Sequence, residues 1–266
     1  MMVFLYYVLI KEKKTRRYIK DFSLKIKDFT KEMFEKLIRL GFPTALQLFF
    51  EVTAFAGAAF ICGLISAKDI AAHQIALSMA SFTFNLCVGF SVASTVMIGR
   101  KLGEKDFVNL EKVGFNNLKI AFIFMLMCGL VFILGKDVLP TFFTKKEDIA
   151  VVELASQLMI IAALFQLSDG IQVTALGCLR GIQDVKIPSI LTFIAYWVIT
   201  IPLGYYLTVP MKMGAFGMWI ALGLGLTVSA VLLVYRFLSL SQRKIDSFWF
   251  IRITNSTLFG ISLFTR

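Results

Sequence analysis

The chain has 266 residues, is 58% hydrophobic and holds 27 phenylalanines against 5 prolines, with a mean hydropathy of +0.79. That is more apolar surface than one soluble core can hide, which excludes an ordinary soluble enzyme or binding domain. The net charge of +11, from 28 Lys plus Arg against 17 Asp plus Glu, would suggest nucleic acid in a soluble chain; spread between apolar runs, it reports membrane orientation and contact with membrane lipids, not a nucleic-acid partner.

Residues 1–10, "MMVFLYYVLI", run straight into "KEKKTRR". A signal peptide puts its charges first, so this order reads as the cytoplasmic end of a longer transmembrane helix whose beginning is missing, with a short interfacial anchor as the plainer alternative. Residues 11–40 form a basic cytoplasmic linker. Within it Thr30 is an N-cap candidate, and Phe34, Leu37 and Ile38 fall at helical spacing, which predicts a short amphipathic surface helix before Pro43 starts the first full span. Six apolar runs then follow, at about 41–66, 70–98, 118–135, 151–179, 187–209 and 213–237, each able to cross about 30 Å of hydrocarbon. None alternates as a barrel strand would, and backbone groups in lipid need partners within their own segment, so the spans are helices. Pro202 is expected to bend the fifth. The predicted class is therefore all-α, a polytopic membrane bundle of six transmembrane helices over 41–237. Residues 238–266 form a cytoplasmic tail, whose last stretch, 247–266, is apolar but interrupted by Arg252, Thr254, Asn255 and Ser256 and is surface-lying or disordered, its "NST" a meaningless sequon match.

The connections alternate between rich and poor in Lys and Arg. Residues 11–40, the Arg100 to Lys119 stretch, Arg180 with Lys186, and Arg236 onward are on one side; Lys68, the Lys136 to Lys146 loop and Lys212 are on the other. The rich side is cytoplasmic, which predicts a multi-pass protein of the inner (plasma) membrane. The weakest contrast is the Lys136 to Lys146 loop, which outscores the short "RGIQDVK" connection.

Two acids interrupt the apolar runs. A carboxylate near mid-membrane costs about 2.5–3.5 kcal/mol on insertion scales, so its presence calls for a compensating interaction. Glu51 lies ten residues from the cytoplasmic start of the first span, and Asp169 ten residues before the end of the fourth, where the cytoplasmic "RGIQDVK" connection follows. Both are about 15 Å deep at 1.5 Å rise per residue, so they can share a site. Gln47 lies one turn before Glu51, while Gln166 and Gln172 flank Asp169, placing each acid on a partly polar stripe as supporting groups. Gly170 leaves the backbone beside Asp169 open to close approach or local unwinding. A buried carboxylate takes up a proton unless a cation holds it ionised; that competition between proton and cation at Glu51 and Asp169 suits an ion-coupled exporter. Each acid merely hydrogen-bonding a neighbouring helix is the plainer alternative.

The remaining motifs carry less. His73, the single histidine, is expected to cap or pack. Cys62, Cys87, Cys128 and Cys178 sit in different helices without C-x-x-C spacing and are read as small buried hydrophobes. "GRKLG" puts Gly99 and Gly103 at a cytoplasmic helix end, where loop chemistry fits better than dimerisation. Asn85, Thr95, Thr192, Tyr196 and Tyr205 are candidate pathway-lining groups, at spacings that interhelix hydrogen bonds also produce. No G-x-S-x-G, H-E-x-x-H or paired His motif occurs, so the chain is not read as an enzyme.

In order and spacing, "LGFPTALQLFFEVTAFA", "DIAAHQIAL", "GRKLGEKD", "FQLSDGIQVTALGCLRGIQDVKIP" and "FIAYWVITIPLGYYL" resemble the multidrug and toxic compound extrusion (MATE) family, especially its bacterial branch. The resemblance runs from about residue 37 to 237. It implies half of a twelve-helix MATE transporter, with a missing N-terminal lobe as partner. It also implies an antiporter that expels small cationic, amphiphilic drugs in exchange for sodium ions or protons by alternating access, with the coupling cation at Glu51 and Asp169 and no other cofactor. Some sodium-coupled members add a tyrosine one turn before the second acid; here that position is Phe165, which leaves sodium and proton both open. Two other readings stand: a lipid-linked oligosaccharide flippase of the same superfamily, expected to line its cavity with arginines that no span here carries deep within it, and a non-functional truncated fragment.

Overall fold

The computed structural model describes residues 30–144 and 148–262, with side chains to residue 245. The expectations for residues 1–29, for Lys145 and Lys146 and for the last four residues lie outside these. The chain divides into two units, Met1–Phe42 and Pro43–Arg266.

Helix α1 is Lys31–Ile65. Its start is capped as the sequence predicts, the Thr30 hydroxyl accepting the Met33 N–H at 3.3 Å. Pro43, expected to open the span, lies inside the helix, and its own carbonyl also accepts Ser189 Oγ at 2.6 Å.

Five further helices follow: α2 (Ala67–Gly103), α3 (Phe107–Gly135), α4 (Ile149–Gly181), α5 (Lys186–Thr208) and α6 (Gly214–Ser262), with a 3-10 turn at Leu139–Phe142 between α3 and α4. All six helices α1–α6 are long and apolar enough to cross a membrane. Most boundaries lie within a few residues of those read from hydropathy, but α3 begins eleven residues before position 118. Asp106 caps it, its carboxylate accepting Asn109 N–H at 3.4 Å and the Asn109 amide at 2.9 Å, and the early turns bury Leu110 and Gly114. Hydropathy reports the lipid-facing stretch; the cap sets where the helix starts. At the other end α6 continues through 238–262, although from residue 247 onward disorder was one expectation. No Gly or Pro occurs from Leu226 to Phe259, and isolated polar residues do not stop a helix.

Helix α4 is the centre of the bundle, packed against α2, α3 and α6. Small residues and hydroxyls let it lie close to α2: Ser91 Oγ donates to the Val173 carbonyl at 2.7 Å and Thr95 Oγ1 to the Gly177 carbonyl at 2.9 Å. A Cβ on Gly177 would strike the Ser91 backbone, and one on Gly181 would strike Ile98. Gly99 faces the Gly181 carbonyl across the same seam, so it serves helix packing within the chain, whereas Gly103 ends α2 as loop chemistry predicts. Just beyond, Arg100 and Lys101 pair with Glu104 at 2.8 and 2.9 Å. These hydrogen bonds, Lys101 first, hold the Glu104 carboxyl below its ordinary value.

At the end predicted to face outward, Ser66 caps α2 and bonds the Asp69 carboxylate. Asp69 also accepts the Ala215 N–H at 2.7 Å. That tie brings the start of α6 so close that a Cβ on Gly214 would collide with the carboxylate, and Gly214 takes φ +58°, open to glycine at no steric cost.

Helix α5 departs from regular geometry. Residues 186–193 are α-helical, Ile194–Thr200 form a π-helix, and Ile201–Thr208 are α-helical again. Pro202 sits at the start of the last segment, where sequence predicted a bend. The Ile201 N–H reaches back five residues to the Tyr196 carbonyl. The extra residue per turn shifts the side-chain register and turns Ala195, Tyr196 and Thr200 into the bundle, where all three are buried.

Candidate functional site

Helices α1, α4 and α5 bring the site residues together. Glu51 and Asp169 are both buried and line one cavity of about 40 Å³, walled by Phe55, Leu77, Phe84 and Phe165. That volume takes a small ion with little or no retained water and is far too small for a drug. The two acids thus face one cavity from separate helices, the sharing of a site that their positions along antiparallel spans allowed.

Around Glu51 a polar chain reaches inward. The Tyr196 hydroxyl lies 3.3 Å from Glu51 Oε1 and 3.1 Å from Gln172 Oε1. A phenol has one proton, so it cannot donate to both oxygens at once. Turning the Gln172 amide over places its Nε2, otherwise without a partner, so that it donates to the phenol, which then donates to Glu51. The chain Gln172 to Tyr196 to Glu51 therefore points a proton at the carboxylate from a buried ring. Tyr196 was legible as a polar group in a span; its contact with Glu51 depends on the π turn, which hydropathy does not show.

The three glutamines divide. Gln172 joins Tyr196 as described. Gln47, one turn before Glu51, accepts from Arg180 at 3.5 Å. Gln166 turns away from Glu51 to accept Thr83 Oγ1 of α2 at 3.0 Å, tying helix to helix; it shares a stripe with Asp169 but does not line the cavity. Sequence reasoning missed Arg180. Read as a loop charge, it ends α4 with its Nε buried and without a partner, beside Gln47. The signal available was its place on the helix of Asp169, three turns toward its C-terminal end.

Gly170 does not unwind α4, which is unbroken there; a Cβ on it would meet Met125 and Cys87, so the glycine serves close approach of α3 and α2. Phe165 stacks edge-on against Phe55 and Trp219 at 6.1 and 5.4 Å between centroids and supplies the cavity an apolar wall. Thr95 and Thr192 bond backbone carbonyls of Gly177 and Pro188, Asn85 bonds the Ser81 carbonyl, and Tyr205 is exposed. His73 is fully buried against Trp219, ring centroids 5.9 Å apart, a packing role. Cys62, Cys87 and Cys178 are buried, whereas Cys128 is only half-buried, and all four are free thiols.

The donor set on Glu51, Asp169 and Tyr196 is all oxygen, which suits a hard monovalent cation or a proton. Among the described residues no group of three or more His, Cys, Asp or Glu side chains gathers.

The family model described as MatE matches residues 43–206. A probable multidrug resistance protein NorM of Mesorhizobium japonicum is 39% identical over 234 residues, 87% of this chain and 50% of the relative. A protein of the same name from Agrobacterium fabrum is 37% identical over 215 residues, 80% of this chain and 46% of the relative. Among solved structures, a MATE protein in complex with MaL6 superposes with a TM-score of 0.80 at 18% identity, over 92% of this chain and 54% of that one. The chain spans about half the length of the curated relatives it matches. With its six apolar helices it is a multi-pass membrane protein, of the inner membrane in bacteria.

Proposed function

Because the chain belongs to the MatE family, we propose that it is the cation-holding lobe of a multidrug efflux antiporter. It works opposite a second six-helix lobe and exports small cationic, amphiphilic compounds by alternating access, in exchange for sodium ions or protons. The observation that carries the proposal is the shared cavity: two buried carboxylates on separate helices line it, with the Tyr196 phenol set between Glu51 and the Gln172 amide.

Two negative charges in so small an apolar cavity repel each other and have lost their water, so the pair is tolerable only with a proton or a cation bound. Binding a cation draws α1 and α4 toward one another; releasing it leaves like charges that push them apart. An exchange of ions is in this way an exchange of helix positions, which is what alternating access requires. Phe165 gives the site no oxygen, and Tyr196, on α5, supplies one from another direction. The 40 Å³ cavity holds the ion alone, so the exported compound occupies the space between lobes. Relatives named as multidrug resistance proteins support that class of compound.

The test is dye efflux from proteoliposomes. The chain, assembled with the first lobe of a NorM relative, is expected to export ethidium when a sodium or pH gradient is imposed, and the chain alone is not. Efflux that ignores both gradients, or ethidium export by the chain alone, contradicts the reading.

A further inference from the structure

A second cavity, of about 530 Å³, lies between α3, α4 and α6 and shares no residue with the cation site. Its wall is almost wholly apolar, built by residues such as Phe122, Ile171, Val231 and Leu238. Polar groups occur at two levels. At one, Lys119 and Tyr235 line the rim. The hydropathic parts of α3 and α6 begin at about 118 and end at about 237, so this rim lies at the cytoplasmic boundary of the membrane, where lysine and tyrosine favour the interface. At the other, Ser168 and Thr227 bond each other through their hydroxyls at 2.8 Å, which leaves an apolar occupant little to desolvate.

The dimensions fit one leaflet. Eleven residues of α6 separate Thr227 from Leu238, about 16 Å at 1.5 Å per residue, close to half of a hydrocarbon core about 30 Å thick. The groove thus asks for a long apolar rod with its head at the cytoplasmic surface. Lys119 decides the sign of that head. Its ammonium lies 4.5 Å from the Phe115 ring centroid and pairs with no acid among the described residues. A cationic amphiphile of the kind proposed as cargo would meet like charge here; an anionic one is complemented.

We propose that this groove binds one anionic glycerophospholipid of the cytoplasmic leaflet, an acyl chain lying between α3, α4 and α6 and the phosphate on Lys119. The lipid's tail ends at Ser168, the neighbour of Asp169 on α4, so occupancy braces the helix that carries one acid of the cation site.

Native mass spectrometry of the purified 266-residue chain, released from detergent containing equal amounts of phosphatidylglycerol and phosphatidylcholine, tests this. The unmodified chain is expected to keep one phosphatidylglycerol over phosphatidylcholine by about fivefold, the factor for one basic side chain near an anionic headgroup. Lys119→Gln loses that preference, Lys119→Arg keeps it, and Arg243→Gln, outside the groove, keeps it. Val231→Trp, at an exposed wall position, fills the groove and loses the bound lipid of either kind. Unchanged preference in Lys119→Gln, lipid retained by Val231→Trp, or a second copy of the chain in place of lipid each overturns the proposal.

Discussion

Asp69 and Asp169 are both buried aspartates in apolar helices, and their surroundings have little else in common. Asp69 stands in the first turn of α2, where the helix dipole favours an anion, and its carboxylate is met by the Ser66 hydroxyl and the Ala215 N–H. The protein itself answers that charge, and the result is a clasp between the starts of α2 and α6. Asp169 stands mid-helix, with no protein donor on its carboxylate among the described residues, facing a cavity it shares with Glu51. Glu51 has one donor within reach, the Tyr196 phenol. A buried acid whose lone pairs are filled by fixed N–H and O–H groups is structural; one left facing a small void has room for an exchangeable proton or cation.

Breaking each region separately should give opposite phenotypes. The largest effect is expected from Asp169→Asn and Glu51→Gln in the assembled transporter, each lowering gradient-driven ethidium efflux to that of empty liposomes while membrane insertion and thermal stability stay near those of the unmodified protein. Efflux at the unmodified rate from either variant removes that residue from the site. Asp69→Ala should instead lower stability by about 1–3 kcal/mol, because it strands the Ala215 N–H, and leave ion dependence intact; an unshifted melting temperature contradicts the clasp. A smaller change is expected from Tyr196→Phe, which removes one hydrogen bond at Glu51 and keeps both acids: efflux about tenfold slower, following about 1.5 kcal/mol for a bond to a charged group, where total loss would make the phenol itself indispensable. Smallest is Glu104→Gln. The Glu104 carboxyl, lowered by Lys101 and Arg100, contributes fully above its ordinary value of 4.5 and loses that contribution as pH falls through the lowered one. The group is exposed, so the variant should melt as the unmodified protein does at neutral pH; a large shift there would show the pair to be part of a wider network.

The two acids were legible from sequence because a charge in an apolar run is conspicuous and helical rise converts position into depth. Their meeting followed from that arithmetic. What surrounds them did not. Gln166 and Gln172 flank Asp169 symmetrically in sequence, yet one turns to Thr83 of α2 and the other to Tyr196 of α5, because a central helix has neighbours on several sides and a stripe does not say which neighbour it meets. The π-helix in α5 shifts Tyr196 inward, and only Pro202 hinted at irregularity there. Arg180 was hidden for a different reason: at a helix end, a charge that faces inward and one that faces water look the same. The start of α3 was misplaced by hydropathy, which ignores caps.

The measurement that bears most directly on the shared site is the infrared difference spectrum of the chain in lipid, recorded in the carboxyl region on acidification and on adding sodium. If Glu51 and Asp169 hold one cation between them, the band that titrates in the unmodified chain should be altered by Asp169→Asn and by Glu51→Gln alike, each variant changing the signal of the acid it leaves in place. A Glu51 band that titrates unchanged in Asp169→Asn would mean two independent carboxyls, and the common site would be contradicted.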